Sequence, residues 1–109
     1  MKVTPLATSA AFTLVLDGEL DASSAIVLDT ALLNPELLTY KKVLIDCHGL
    51  SYISSAGLGV FIAHLQRLQD LDVTLIFFQM QEKVFNIFEI LGLDVLIQIV
   101  STQEQALAA

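Results

Sequence analysis

The stretch Val-Thr-Leu-Ile-Phe-Phe at residues 73–78 is an almost unbroken apolar run, too short for a packed helix and lacking the alternation of a half-exposed strand. A strand of this kind needs cover on both faces, which is the situation inside a parallel sheet flanked by helices. The rest of the chain fits that demand. Residues 3–10 are compatible with a strand, and Pro5 places it at a sheet edge. Phe12, Leu14 and Leu16 alternate with Thr13, Val15 and Asp17 as in a half-buried strand, which Asp17-Gly18 is expected to end.

Helical spacing then takes over. Ala25, Leu28 and Leu32 form a stripe, and Asp21 is placed to cap that helix. Asn34-Pro35-Glu36 can close the helix and start a short further turn. Residues 43–46 (VLID) read as a short buried strand. Leu58, Phe61, Ile62, Leu65 and Leu68 make a second stripe, and Val84, Phe88 and Leu91 a third, with Gly92 just past its end. Residues 95–100 (VLIQIV) supply a last strand. Ser101 with Glu104, or Thr102 with Gln105, offers a capping box for a terminal helix. The order β-β-α-β-α-β-α-β-α predicts an α/β fold: a mostly parallel or mixed sheet of four to five strands with about four helices.

A chain of 109 residues suits one domain, taken as residues 1–109. Although 55% of the residues are hydrophobic, no apolar window approaches the 18 or so needed for a membrane span, and the N-terminus lacks the pattern of a secretion signal. A cytoplasmic location is expected. The net charge of −7 opposes the phosphate backbone of nucleic acids, so direct nucleic-acid binding is set aside. The one cysteine, Cys47, has no partner in the chain, which agrees with a reducing compartment.

Few catalytic signatures are present. There is no phosphate loop, CxxC or HExxH pattern, and Gly57-Leu58-Gly59 lacks the third glycine of a dinucleotide fingerprint, where Ile62 stands. Asp46, Cys47 and His48 are adjacent on a strand end and would point in different directions, so they do not make a ligand set. His64 is expected to be solvated, on the helix face opposite Leu58 and Leu65. Asp46 at a strand end invites comparison with phospho-receiver domains, but the adjacent acidic pair is missing, and the only later lysine, Lys83, starts a helix. A Gly-x-Ser-x-Gly elbow is absent, so a serine hydrolase has little support. No cofactor or metal is expected.

The segment ISSAGLGVF (residues 53–61) remains. Ser54 or Ser55 can cap a helix beginning near Gly57, but capping uses one serine, and a glycine at position 59 costs that helix on the order of 1 kcal/mol relative to alanine. Gly57 and Gly59 could serve close packing on the sheet, and Val60 and Ala63 a small exposed apolar patch. A serine at a helix N-terminus can also carry a phosphate there, because free N–H groups and the helix dipole favour an anion.

LDGELD (residues 16–21) followed by a helix, and then VLIDCHGLSYISSAGLGVFIAHLQRL (residues 43–68), resemble the STAS domains of anti-sigma factor antagonists; the likeness runs over nearly the whole chain and includes the later VFNIFEILGL. The resemblance implies a non-enzymatic switch. Its unphosphorylated form would bind an anti-sigma factor that is also a serine kinase, freeing a sigma factor. Phosphorylation would end that binding, and a PP2C-type phosphatase would restore it. By position the acceptor is Ser55, and Asp21, Ser54, Ala56, Gly57, Leu58, Gly59 and Val60 would face the partner with it. The family often has Asp where this chain has Ser54, which leaves Ser54 as a possible second acceptor. A constitutive STAS subunit of a larger assembly, such as a lipid ABC transporter, is the alternative.

Overall fold

The computed structural model describes residues 1–109. Its elements are β1 (Lys2–Ala7), β2 (Phe12–Leu20), α1 (Ala25–Leu32), a 3-10 turn (Pro35–Thr39), β3 (Lys42–Ile53), α2 (Ser55–Asp70), β4 (Thr74–Phe78), α3 (Glu82–Ile90), a second 3-10 turn (Leu93–Val95), β5 (Gln98–Val100) and α4 (Gln103–Ala108). The strands form one sheet in sequence order, β1 antiparallel to β2 and the remaining pairs parallel. This is the mixed α/β sheet the sequence predicts, with β1 and its Pro5 at the edge.

Alternation along the strands divides the core in two. On one face, Phe12, Leu14, Leu16, Val43, Ile45 and Phe77 pack with Leu28 and Leu32 of α1, Leu58, Phe61 and Leu68 of α2, and Val84 and Phe88 of α3. On the other, Leu44, Ile76 and Phe78 meet Ala106 of α4 and Ala11 in a much smaller cluster. β4, the strand read from residues 73–78, is buried on both sides at Leu75, Ile76, Phe77 and Phe78. At the C-terminus, Thr102 and Gln105 form the reciprocal capping box, so the second of the two possibilities is the one used.

Several boundaries differ from the sequence reading. β2 does not stop at Gly18: with φ of 111° Gly18 stays in the strand and takes up a register irregularity against β3. β3 runs to Ile53, well beyond Asp46, because two such irregularities let its longer course remain paired with β2. β5 is reduced to three residues, since Leu93–Val95 wind into a 3-10 turn after Gly92, whose φ of 74° turns the chain at the end of α3. α1 starts at Ala25, four residues after Asp21.

The parallel pairing of β2 with β3 ends in step, Leu20 opposite Ile53, and the Ser54 N–H donates to the Leu20 carbonyl at 2.8 Å. The segments that follow the two strands therefore emerge side by side. A Cβ on Gly57 would lie 2.5 Å from Leu20 Cγ and 2.8 Å from Leu20 Cδ2, so only glycine lets α2 descend this closely onto β2. Gly57→Ala should lower stability by roughly 1–3 kcal/mol through overpacking in thermal or urea denaturation; an unchanged midpoint would show that the contact relaxes freely.

Candidate functional site

The rim formed by the ends of β2 and β3 gathers residues 21–24 and 54–60. Asp21 closes a turn ahead of α1 instead of capping the helix. Its Oδ1 accepts from the Ser23 N–H at 3.0 Å, the Ser23 hydroxyl at 2.7 Å and the Ser24 N–H at 3.1 Å. Ser24, the residue before α1, makes no side-chain cap bond to it and donates to the Glu19 carbonyl at 2.9 Å. The Ser23 hydroxyl, followed by the bonds from Ser24, holds the Asp21 carboxyl below its usual range. Asp21 is thus a fixed anion at the rim, and its Oδ2 takes no part in the turn.

At α2 the two serines separate. Ser54 has extended backbone and its hydroxyl accepts from the Gly57 N–H at 3.2 Å; it is the cap, and the helix begins at Ser55, two residues earlier than expected. Ser55 is exposed in the first helical position and its hydroxyl has no partner in the chain. Ala56 and Gly59 are also exposed, Val60 is half-buried against the core, and Gly57 and Leu58 are buried. A Cβ on Gly59 would meet nothing within 4 Å. Of the two glycines only Gly57 is required by packing. Tyr52, exposed and opposite Glu19 in the β2–β3 register, lies on the same rim; sequence reading missed it because β3 was expected to have ended.

The predicted apolar stripe of α2 needs two corrections. Ile62 is half exposed, and His64, expected in solvent, is 6% exposed. Its Nε2 lies 2.7 Å from Asp29 Oδ1, and Arg67 donates from Nε to His64 Nδ1 at 3.3 Å and from a terminal nitrogen to the Leu32 carbonyl at 2.9 Å. A guanidinium only donates, so Nδ1 accepts and Nε2 carries the proton given to Asp29. This polar bridge ties α2 to α1, the helix behind the Asp21 turn. Sequence periodicity could not reveal it, because the partners lie 35 positions apart.

Asp46, Cys47 and His48 lie within β3, not at its end. Cys47 is fully buried, and burial, with the neighbouring Asp46 charge second, pushes its thiol far up, so no thiolate is available. His48 is exposed, with Nδ1 2.8 Å from Asp46 Oδ1. No cluster of three potential metal ligands occurs, and no helix is long and apolar enough to cross a membrane. The hydrogen bond to Asp46, then its charge, raises the affinity of His48 for a proton. A group whose pKa rises on folding stabilises the fold below its unfolded pKa, and that contribution is lost as pH rises through the folded value. The stability difference between the native chain and His48→Gln should therefore shrink from pH 6 to pH 8.5, staying below about 1 kcal/mol for so exposed a pair. A difference that grows with pH in urea titrations would contradict this.

The family model of the STAS domain matches residues 3–106. The anti-sigma-B factor antagonist of Listeria monocytogenes is 34% identical over 82 residues, covering 75% of this chain and 72% of that protein. An anti-sigma factor antagonist of Mycobacterium paratuberculosis superposes with a TM-score of 0.86 at 18% identity, covering 98% of this chain and 91% of the other. The phosphorylated form of the Bacillus cell fate determinant SpoIIAA superposes with a TM-score of 0.71 at 17% identity, over 98% and 97% of the two chains.

Proposed function

This chain belongs to the STAS domain family, among the anti-sigma factor antagonists, and from that premise we propose that it is a partner switch whose state is set by phosphorylation of Ser55. One observation carries the assignment of the residue. Of two adjacent serines, Ser54 is half-buried and spends its hydroxyl oxygen on the helix cap, while Ser55 is exposed and unengaged. A related fold is known in a phosphorylated form, which supports the same reading.

The chemistry suits a reversible group. A kinase transfers the γ-phosphoryl of ATP to Ser55 Oγ; the O–P bond forms, the bond to ADP breaks, and the hydroxyl proton leaves. The product adds about −1.5 to −2 charge at the open end of α2, where free N–H groups and the helix dipole stabilise an anion. The fold is thereby spared, and the repulsion falls on whatever docks against the rim. Asp21 is a fixed charge on the same rim as the acceptor, and exposed Ala56 and Gly59 leave room for close approach. In this reading the docked protein is an anti-sigma factor with serine kinase activity, the phosphate is removed by a PP2C-type phosphatase, and the exchange takes place in the cytoplasm on the STAS domain. The role is non-enzymatic.

Incubation with the cognate kinase and ATP, followed by mass spectrometry, should place the phosphate on Ser55. Ser55→Ala should abolish incorporation. Ser54→Ala should keep it while costing about 1 kcal/mol of stability through the lost cap. Full incorporation into Ser55→Ala would move the acceptor elsewhere. Gly59→Ala separates the chain's own needs from its partner's. With open space around the new methyl group, it should stabilise the free protein by roughly 0.5–1 kcal/mol and yet weaken binding of the anti-sigma factor. Stabilisation with unchanged affinity in calorimetric titration would remove Gly59 from the contact surface.

A further inference from the structure

The middle of α2 borders a second surface, formed with the segment that follows α3. Past the last turn of α3, Gly92 reverses the chain and brings the exposed pair Ile90 and Leu91 near the exposed pair Val95 and Leu96. Ile90 and Val95 are 82% and 83% exposed, too open to serve the core. Leu96 and the half-exposed Ile62 line one narrow cleft between this segment and α2, together with the buried Leu58 and Phe61, and every side chain lining it is apolar. Isolated apolar side chains on a surface are ordinary; exposed Ile90, Leu91, Val95 and Leu96 fall within seven residues, and Leu96 also borders the apolar cleft, which makes the set a candidate docking surface.

Charge decides what can occupy it. Glu89 lies in the last turn of α3 and Asp94 in the 3-10 turn, with no basic residue in either. The C-terminal end of α3 adds the negative pole of its dipole. The five basic residues are placed elsewhere: Lys2 in β1, Lys41 and Lys42 where β3 begins, Lys83 in the first turn of α3, and Arg67 turned toward α1 through Leu32 and His64. A second copy would set Glu89 and Asp94 against their like in two chains of net charge −7, and an anionic membrane would repel the same face.

We propose that the apolar face formed by Ile62, Ile90, Leu91, Val95 and Leu96 binds a cationic amphipathic helix of a partner protein. Its cleft reaches Leu58 of the Ser55 rim, but its exposed residues lie farther along the fold. Along α2, Ile62 is about 10 Å and Leu65 about 15 Å from Ser55 at 1.5 Å per residue. These distances exceed a Debye length of about 8 Å at physiological salt, so charge added at Ser55 is largely screened there. The surface stays open in both states of the proposed switch, and the inference does not depend on that switch.

The test titrates the full 15N-labelled chain with a synthetic helix of about 15 residues, leucine on one face and lysine on the other. Saturable binding should shift the amides of Ile62, Leu65 and residues 90–97 and spare residues 21–24 and 54–56. A leucine/glutamate peptide and a serine/lysine peptide of equal length should fail to bind. The double variant Ile90→Ser, Val95→Ser should keep its melting temperature, both positions being largely solvated, and bind about tenfold more weakly. Ser55→Asp should bind as the native chain does. Absence of saturable binding, equal binding of either control peptide, or indifference to the double substitution would overturn the proposal. So would a dimer in sedimentation, or flotation with phosphatidylglycerol vesicles, that the double variant abolishes, since the face would then belong to a second copy or to lipid.

Discussion

Everything at the rim depends on how closely α2 approaches the end of β2. The Ser54 N–H bonds to the Leu20 carbonyl, and three residues later Gly57 rests against the Leu20 side chain with no space for a Cβ. Those two contacts fix the height and entry of α2. They set Ser55 at an open helix terminus beside the Asp21 turn, and they bury Leu58, the first apolar residue of the stripe that reaches the sheet. If the helix were displaced outward, the cap, the exposed hydroxyl and the packing of Leu58, Phe61 and Leu68 would lose their common register.

The second tie between α1 and α2 is polar. Asp29, His64, Arg67 and the Leu32 carbonyl form an unbroken set of hydrogen bonds across the seam, and no buried side-chain nitrogen or oxygen is left without a partner. Such a bridge has stricter geometry than apolar packing, since each donor needs its acceptor at one distance and direction. It fixes α1 relative to α2 laterally, while Gly57 fixes α2 vertically. The turn carrying Asp21 and the helix carrying Ser55 are thereby held as one unit.

The sequence makes the class of fold and the core legible because those rest on local periodicity: β4, the alternating half of β2, and Val84 and Phe88 of the α3 stripe lie where the patterns put them, while Leu91, read as the third member of that stripe, falls past the helix end and is exposed. The motif also points to the segment that enters α2, since strand, serine, small residue and glycine follow one another within a few positions. What escaped was long-range or irregular. Gly18 reads as a break because glycine after aspartate signals a turn, yet here its positive φ supplies a register shift that lengthens both strands. Tyr52 was hidden by that error. The pattern places His64 in solvent, on the helix face opposite Leu58 and Leu65, and its partner Asp29 on α1 accounts for its burial. The two serines were equivalent in sequence, because the choice between cap and first helical residue turns on backbone geometry at Ser54.

Under the proposed switch, the paired residues at the rim divide the demands of folding and recognition between them. Ser54 and Gly57 meet the demands of the fold: one satisfies an orphan N–H of the helix, the other permits the close approach to β2. Ser55 and Gly59 answer to neither. A free hydroxyl gains nothing for the helix, and an uncrowded glycine in its first turns costs backbone entropy with no compensating contact. A destabilising choice with no structural return at an exposed position is most simply understood as a requirement imposed by something that docks there. In that arrangement a negative group can be added and removed at Ser55 while the cap beside it stays made, so the binding surface can change without the fold having to change with it.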